Sequence, residues 1–191
     1  MMTADSVEHL MSTHVRIWPY VRGCYGRDIL YRLWRMIEDS GDGRSLFWGS
    51  HDDPLIHGDL VAFVKFCEDP QRILLMITTR DGSDLAGLAW FDDVVPTLRA
   101  FGSIYIAPSH RGPFSEEAAR LCLTYAFDLL NVESIWGITP WRAAVALCDR
   151  CGFERVTVLP AFTKFNDTVS DVTVLRLTKE SFHGQHLLKR E

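Results

Sequence analysis

The stretch from Phe101 to Phe153 constrains the fold most, because it contains a strand, a loop, a helix, a second strand and a second helix in close succession. An apolar run, Ile104–Ala107, stops at Pro108, and the residues as far as Phe114 have loop chemistry. From Ser115 onward, apolar residues recur at the i, i+3, i+4 and i+7 spacing of a helix. The sequence therefore predicts a loop that ends at the N-terminus of a helix beginning near Ser115.

A strand that ends in a loop at a helix N-terminus forms an anion-binding arrangement. Unpaired backbone N–H groups and the positive end of the helix dipole both favour a phosphate there. A second strand, Ser134 to Thr139, follows the helix, and a second short helix has its apolar face at Ala144, Leu147 and Cys148. Gly152 is placed to end that helix in a left-handed conformation.

This layout resembles that of the GCN5-related N-acetyltransferase (GNAT) superfamily over roughly Ile73 to Leu177. The segment APSHRGPFSEEA stands where that family has a loop, usually written Arg/Gln-x-x-Gly-x-Gly/Ala, whose amides hold the pyrophosphate of acetyl-coenzyme A. The segment WRAAVALCDRCGFERV is similar to the family's Asn-x-x-Ala-x-x-Leu-Tyr-x-x-x-Gly-Phe, with matches at Ala144, Leu147, Gly152 and Phe153. The resemblance implies an α/β fold of the α+β type, in which a mostly antiparallel mixed sheet is flanked by helices around a GNAT-like acyl-CoA N-acyltransferase core.

The resemblance also implies a reaction and its residues. The reaction is transfer of an acyl group from acetyl-CoA, or another acyl-CoA, to an amine of a small molecule or a protein. The residues assigned to the cofactor are Ile104, Tyr105, Ile106, Arg111, Gly112, Phe114, Ser115, Trp141 and Ala144. Cys148 is a candidate weak general acid, since an ordinary thiol has a pKa near 8.5.

Several residues depart from the family's pattern. Phe114 stands where the loop has its first glycine, Glu116 where it has its last small residue, and Pro113 has no N–H to donate. Trp141 replaces a frequent asparagine, and Cys148 replaces the tyrosine that often protonates the leaving thiolate. These departures support an alternative of another class, a fold that has lost catalysis and serves as a binding or structural module.

The charges of the loop act in opposite directions. Arg111 and the amides of Gly112, Phe114, Ser115 and Glu116 offer hydrogen bonds to a pyrophosphate. The carboxylates of Glu116 and Glu117 suit the helix dipole but would repel the same anion. Weak to moderate binding is the expected result.

Two strands over Arg72–Thr79 and Leu85–Val94 precede the strand at Gly102–Ile106 and form an antiparallel meander with it. Asp92 and Asp93 end the middle strand. A carboxylate at this position could act as the general base toward the acceptor amine. Alternatively, both are surface acids beside a turn.

At 191 residues, the chain is expected to form one domain, with an N-terminal helical part and loop (1–70), a core (71–177) and a loose tail (178–191). A closing hairpin is predicted over Val156–Leu159 and Asp171–Leu177. The net charge of −5 argues against wholesale nucleic-acid binding. No signal peptide and no apolar run of about 20 residues is visible, so no membrane contact is predicted. The five cysteines are an odd number and mostly lie in apolar patterns, which favours reduced, buried thiols in a cytoplasmic protein. A homodimer is left open.

The N-terminal segment mixes basic and aromatic residues between Arg16 and Arg35. Such a mixture could bind nucleic acid by stacking and charge neutralisation. The alternative is an amphipathic helix that starts after an N-cap at Asp28 and leaves Arg32 and Arg35 in solvent. Its predicted apolar face is Ile29, Leu30, Leu33 and Ile37.

The metal and redox motifs are weak. Cys148-x-x-Cys151 could be a redox or zinc pair, but it lies at the C-terminal end of a helix, where the dipole disfavours thiolates. Core packing is the alternative, and we predict neither a disulfide between the two cysteines nor a metal. His51 and His57, with the aspartates between them, either form a metal site or belong to a solvated loop. No metal site is predicted.

Overall fold

The structure is a computed structural model that describes residues 10–23, 27–46, 58–165 and 168–188. Its strands are β1 (Leu10–Met11), β2 (Val15–Pro19), β3 (Ile73–Thr79), β4 (Leu85–Val95), β5 (Arg99–Ile106), β6 (Ser134–Thr139), β7 (Glu154–Phe165) and β8 (Thr168–Thr178). Its helices are α1 (Arg27–Ser40), α2 (Gly43–Leu46), α3 (Leu60–Cys67), α4 (Pro113–Thr124), α5 (Arg142–Cys151) and α6 (Lys179–Leu188). A 3₁₀ turn at Pro108–His110 precedes α4, and a π-helical turn at Tyr125–Leu129 continues it.

The strands form one eight-stranded sheet in the order β1-β2-β3-β4-β5-β6-β8-β7. Neighbouring strands are antiparallel except for the parallel pair β5–β6. The predicted mixed, mostly antiparallel sheet is therefore confirmed, and so is the meander of β3, β4 and β5. Strand β2 was not predicted. Arg16 and Trp18 alternate with its two buried residues, and the segment was interpreted from their charge and aromaticity instead.

Helices cover both faces of the sheet, which explains why β3 is apolar from Ile73 to Ile77. Leu75 and Ile77 belong to a core that α4, α5 and α6 complete on one side. Leu74 and Met76 belong to a second core, completed by α1 and α3 on the other side. Successive side chains of a strand point to opposite faces, so a continuous apolar run indicates burial on both.

The predicted amphipathic helix is present as α1. Its fully buried positions are Leu30, Leu33 and Ile37. Arg32 and Arg35 lie in solvent, as expected. The helix begins at Arg27, so Asp28 lies in its first turn and the predicted N-cap at Asp28 is wrong. A carboxylate in the first turn still suits the helix dipole.

The last segment differs most from the prediction, since α6 follows β8 directly where a loose tail was expected from Thr178. Phe182 holds this helix against the core: it is 1% exposed, and its ring centroid lies 5.3 Å from that of Phe127. The tail prediction is wrong because a single buried aromatic fixes α6, with no apolar repeat to indicate it. The strands of the closing hairpin also extend beyond their predicted bounds, and residues 166–167 between them lie outside the described residues.

Candidate active site

Strands β5 and β6 separate partway along their length. They pair in parallel only from Arg99–Ser134 to Phe101–Trp136. Beyond that point, β5 continues beside β4 as far as Ile106, and β6 continues beside β8 as far as Thr139. The gap between them is called the wedge; its closed end lies at Phe101 and its mouth at Ile106. The edge of β5 in the wedge presents backbone groups that an extended ligand can pair with.

A cavity opens from the wedge toward α4 and α5. It contains about 500 Å³ of empty space, its open mouth included, and its lining is almost entirely apolar. Gly102 and Ile104 of β5 border it on one side and Gly137 of β6 on the other, while Cys148 and Phe153 border it from α5 and the residues after it. Two predicted site residues, Ile104 and Cys148, are thereby brought together.

The loop at the mouth has the predicted place and a specific conformation. Gly112 has φ 110° and ψ −137°, a region that other residues rarely adopt, and α4 begins at Pro113. The prediction of a loop at a helix N-terminus is thus confirmed, with the helix starting two residues before Ser115. A Cβ added at Gly112 would meet no atom within 4 Å, so the space beside this loop is open.

Fewer backbone amides of the loop are available to bind an anion than the sequence predicted. The amide of Ser115 donates to the carbonyl of Gly112 at 3.0 Å. Within the described residues, the amides of Gly112 and Phe114 have no acceptor and remain for an anion. The side chain of Phe114 packs beside the ring of His110, with centroids 5.1 Å apart.

Arg111 does not extend freely into the mouth. Its Nε donates to the carbonyl of Ile106 at 3.2 Å, and its guanidinium also forms an ion pair with Asp42, in the loop after α1. The amide of Asp42 donates to Ser40 Oγ, which lies 2.9 Å from the hydroxyl of Tyr105. The sequence contains no signal for this ion pair, because its partners are 69 positions apart.

Glu116 is paired with arginines, whereas Glu117 is held by hydrogen bonds from His14. Glu116 contacts Arg120 at 3.1 Å and Arg150 at 3.5 Å. Glu117 accepts hydrogen bonds from the backbone amide of His14 at 2.8 Å and from its ring at 3.0 Å. Burial opposes ionisation of Glu117, but hydrogen bonds from Ser12 and His14 outweigh it and lower its pKa. The two arginines therefore reduce the repulsion of an anion by Glu116, while Glu117 stays ionised.

Cys148 is half-buried, its thiol lines the cavity wall, and this burial raises its pKa to about 12. The proposed proton-donor role assumed a pKa near 8.5, so the structure makes Cys148 a weaker acid than expected. Cys148 and Cys151 are both thiols rather than a disulfide. Among the described residues, no group of His, Cys, Asp and Glu side chains has the arrangement of a metal site. His51 and His57 lie outside those residues.

Asp92 and Asp93 lie near the closed end of the wedge, and each is held by an arginine. Asp92 pairs in register with Phe101, and its carboxylate accepts from Arg72 Nε at 2.8 Å. Asp93, with φ 48° in a β-bulge, forms an ion pair with Arg99 at 2.7 Å. Strand alternation directs Asp92 to the face that α1 and α3 cover, opposite the cavity. A general-base role for either residue stays a prediction.

The remaining predicted cofactor residues divide between two places. Trp141 precedes α5, where its amide donates to Thr139 Oγ1 at 3.1 Å, and Ala144 lies in the first turn of that helix beside the mouth. Tyr105, in contrast, directs its side chain to the face that α1 covers, and burial raises the pKa of its hydroxyl. Only the backbone of Tyr105 can therefore border the wedge.

The N-terminal aromatic residues are mostly turned inward. Trp18, Tyr20 and Trp34 pack against the core under α1. Tyr31 is 49% exposed. Among the described residues of this segment, no row of exposed rings is available for stacking nucleobases, which favours the amphipathic-helix interpretation. In the described part of the chain, no helix is both long and apolar enough to cross a membrane.

No protein-family model matches the chain, and no curated protein matches its sequence. Solved structures do match its fold. The spermidine N-acetyltransferase of Vibrio cholerae, in complex with CoA and spermine, gives a TM-score of 0.68 at 20% identity, over 88% of this chain and 98% of that one. A chimera of the Vibrio cholerae enzyme SpeG and hSSAT gives 0.70 at 17% identity, over 90% and 99%. A single-residue variant of SpeG gives 0.70 at 19% identity, over 90% and 98%.

The likeness spans about nine-tenths of the chain and so extends beyond the Ile73–Leu177 segment that the sequence motifs indicated. The chain has the fold of the GCN5-related N-acetyltransferases.

Proposed function

We propose that this protein transfers an acyl group from an acyl-coenzyme A, acetyl-CoA among them, to an amine. The observation that carries the proposal is the wedge, whose mouth opens beside the N-terminus of α4. An extended, partly polar ligand with phosphates at one end fits this site, because strand edges pair with amides and helix N-termini attract anions.

The residues present fit such a ligand in three respects. The amides of Gly112 and Phe114 and the guanidinium of Arg111 offer donors at the mouth. The edge of β5 from Gly102 to Ile106 offers backbone groups along the wedge. The apolar cavity suits the uncharged end of that ligand. Hydrogen bonds to charged groups contribute roughly 1.5–3 kcal/mol each, which supports a dissociation constant in the micromolar range.

When bound, an acyl-coenzyme A supplies a thioester carbonyl and a thiol leaving group. The chain's main contribution is to hold that carbonyl beside the amine and keep water away. The amine must lose a proton, for which Asp92 or Asp93 is the proposed base. The departing sulfur must gain one, for which Cys148 is the proposed donor. Cys148 stays protonated at neutral pH and is able to donate, although a pKa of about 12 makes it a weak acid.

For the acceptor we propose a polyamine. The similar Vibrio cholerae enzyme is a spermidine N-acetyltransferase, and its structure contains spermine. The end of α1 and the loop after it carry Glu38, Asp39 and Asp42, and Ser40 in the same segment contacts Tyr105 of β5. Asp39 pairs with Arg35 and Asp42 with Arg111, so a polyamine, which is a polycation at neutral pH, would compete with these arginines for the carboxylates. A lysine side chain or N-terminus of a protein is the alternative acceptor.

A binding or structural module without catalysis is the second candidate. The ion pair between Arg111 and Asp42 favours it, because a guanidinium already neutralised by a carboxylate is a poorer phosphate ligand. The raised pKa of Cys148 favours it as well.

Calorimetric titration with acetyl-CoA and with free coenzyme A, followed by a thiol-release assay with spermidine, tests the proposal. We expect micromolar binding of both nucleotides and release of free coenzyme A that depends on spermidine. A lysine-containing peptide in place of spermidine distinguishes the two acceptor classes. Absence of any binding at millimolar coenzyme A would refute the acyltransferase function and favour the binding or structural module. Binding without release for either amine would identify a module that still holds the nucleotide.

A further inference from the structure

A row of side chains crosses the sheet at the closed end of the wedge, on the face opposite the cavity. The strand registers place its members side by side: Asp92 of β4 opposite Phe101 of β5, Phe101 opposite Trp136 of β6, Trp136 opposite Arg176 of β8, and Arg176 opposite Glu154 of β7. Registered neighbours on adjacent strands project to the same face of a sheet. Asp92 lies on the face that α1 and α3 cover, so the whole row does. These five residues are called the cross-strand row.

Side-chain contacts support the order of the cross-strand row. The guanidinium of Arg176 lies over the ring of Trp136, with its central carbon 5.7 Å from the ring centroid. Its Nε donates to Glu154 at 2.6 Å. At the other end of the row, Asp92 accepts from Arg72 at 2.8 Å. The row therefore presents a carboxylate, two aromatic rings and an ion pair, in that order.

The charged members of the cross-strand row are accessible. The side chains of Arg176, Glu154 and Asp92 are 41%, 56% and 40% exposed. The core that α1 and α3 complete on this face takes its buried strand residues from β3, β4 and β5. Ile138 of β6, two positions after Trp136 and on the same face, is 41% exposed. In the described part of the chain, this face of β6 is therefore open, and an amine can approach the closed end of the wedge from it.

The closed end fixes where the reacting carbonyl of a bound acyl-coenzyme A lies. A ligand that follows β5 from the mouth stops where β5 and β6 pair, at Phe101 and Trp136. The cavity borders it on the face that α4 and α5 cover, so an acceptor reaches it from the face that carries the cross-strand row. Neighbouring strands lie about 4.8 Å apart, which puts β8 and its Arg176 about 7 Å from the middle of the gap between β5 and β6.

The ion pair of the cross-strand row matches the two charges of a free amino acid. Glu154 binds one edge of the guanidinium of Arg176, through Nε and Nη2. The remaining N–H groups of a guanidinium can bind a second carboxylate. The exposed carboxylate of Glu154 can bind an ammonium group in the same way. An amino acid carries both charges on one carbon, whereas a polyamine carries only ammonium groups, which Arg176 repels.

We propose that the cross-strand row binds a free diamino acid, lysine or ornithine, whose side-chain amine accepts the acyl group. The inference rests on the proposed acyl transfer and adds an acceptor class to the polyamines. Arg176 binds the α-carboxylate and Glu154 the α-ammonium, while the methylene chain lies along the rings of Trp136 and Phe101. In extended lysine, about six bonds of roughly 1.25 Å advance each separate the side-chain nitrogen from the carboxylate carbon, about 7 Å in all. This is the length that the strand spacing requires.

The amine replaces the sulfur on the acyl carbon. A C–N bond forms between the neutral side-chain amine and the thioester carbonyl carbon, and the C–S bond breaks. The amine proton passes to Asp92, the proposed base, and the sulfur takes a proton from Cys148, the proposed donor. One amine and one thioester give one amide and one thiol, and proton exchange with solvent returns Asp92 and Cys148 to their starting states.

Initial rates with acetyl-CoA and two pairs of acceptors test the proposal. Lysine and cadaverine differ only in the α-carboxylate, and so do ornithine and putrescine. We expect kcat/KM to be about tenfold higher or more for each amino acid than for its diamine, because a charge-assisted pair with Arg176 is gained. Mass spectrometry should locate the acetyl group on the side-chain nitrogen. Equal kcat/KM values within both pairs, or acetylation of the α-nitrogen, would overturn the assignment.

Spermidine in the same series separates this inference from the proposed function. Acetylation of spermidine without any preference for the amino acids over their diamines would leave acyl transfer standing and overturn the assignment of the cross-strand row. Absence of acetylation of every amine would instead refute the proposed function, and this inference with it.

Two variants with the same substitution locate the effect. Arg176→Gln removes the partner of the α-carboxylate. Arg155→Gln removes an exposed arginine of β7 that pairs with Asp149 and projects to the opposite face, since its register partner is Leu175 of the core under α4. The ratio of kcat/KM for lysine to that for cadaverine should fall about tenfold in Arg176→Gln and stay within about twofold of the wild-type ratio in Arg155→Gln. An unchanged ratio in a folded Arg176→Gln protein would contradict the assignment, and if that variant does not fold, the wild-type pairs decide alone.

Discussion

The two ends of the wedge differ in the interactions that stabilise them. At the mouth, charged side chains are paired with partners from distant segments: Arg111 with Asp42, and Glu117 with His14. At the closed end, the walls are apolar and the thiol of Cys148 is protonated by burial. A change of a charged side chain at the mouth therefore alters an electrostatic balance, whereas a change at the closed end alters the packing of side chains that can adjust.

Two glycines allow the ends to be compared directly. Gly87 lies opposite Ile106 at the mouth, and a Cβ there would fall 2.1 Å from the carbonyl oxygen of Tyr105. Because backbone must move to relieve that collision, we expect Gly87→Ala to lower the free energy of unfolding by about 3 kcal/mol. Urea unfolding followed by circular dichroism measures it.

Gly102→Ala is the matched change at the closed end. There the new Cβ meets Ile135 and the ring of Phe91 at 3.2 Å, and both are side chains that can shift slightly. We expect a loss of about 1 kcal/mol or less. Equal losses in the two variants would remove the distinction between a rigid mouth and an adaptable closed end.

The second prediction concerns the reactivity of Cys148. Its raised pKa of about 12 keeps the thiol protonated as the pH rises past 8.5, where an ordinary cysteine already ionises. The higher nucleophilicity of a more basic thiolate offsets part of this deficit. At pH 8 we expect alkylation of Cys148 by iodoacetamide to be about fiftyfold slower in the folded chain than in urea.

Mass spectrometry of the peptide that contains Cys148 measures that rate at each pH. In the folded chain, the rate should keep rising beyond pH 9 without a plateau. A plateau near pH 8.5 would mean that the thiol is not buried in the cavity wall, and the apolar character of the closed end would then be in question.

The smallest expected effect concerns the ion pair at the mouth. Arg111→Ala should weaken coenzyme A binding about tenfold, because one charge-assisted bond is lost. Asp42→Asn should strengthen binding about threefold, since it releases the same guanidinium. Dephospho-coenzyme A, which keeps the pyrophosphate, should be equally sensitive to Arg111→Ala.

Arg35→Ala is the control for these titrations, because Arg35 pairs with Asp39 on the exposed face of α1. Its binding should match that of the wild type, as exposed pairs of this kind contribute little. If Arg111→Ala also matches the wild type, the pyrophosphate is held by amides alone and Arg111 serves only to join two loops.

Local signals explain what the sequence predicted well. Strand β6 was predicted with its observed bounds, Ser134–Thr139, since Pro140 marks its end. Gly152 ends α5 at φ 90° and ψ 17°, the left-handed conformation expected from its place after the helix. Loop chemistry followed by helical periodicity located the N-terminus of α4. Each of these features depends on residues that are neighbours in the chain.

Contacts between distant segments explain what was missed. The partner of Arg111 could not be predicted, because nothing in the local sequence marks Asp42 as its ligand. The separation of β5 from β6 likewise depends on both strands together, so the sequence of neither strand contains a pattern that predicts it. The cavity beside the wedge depends on small residues contributed by β4 and α4, and each of them alone looks like ordinary core.

The strand order has a consequence for how the chain folds during synthesis. The antiparallel neighbour of β6 is β8, which the ribosome makes only after α5 and β7. Contacts of such long sequence separation form late, because loop closure costs entropy before they contribute. Until β8 and α6 emerge, the nascent chain exposes the edge of β6, and Phe127 lacks the aromatic partner that Phe182 provides. Chaperones that shield apolar strand edges should therefore bind this intermediate.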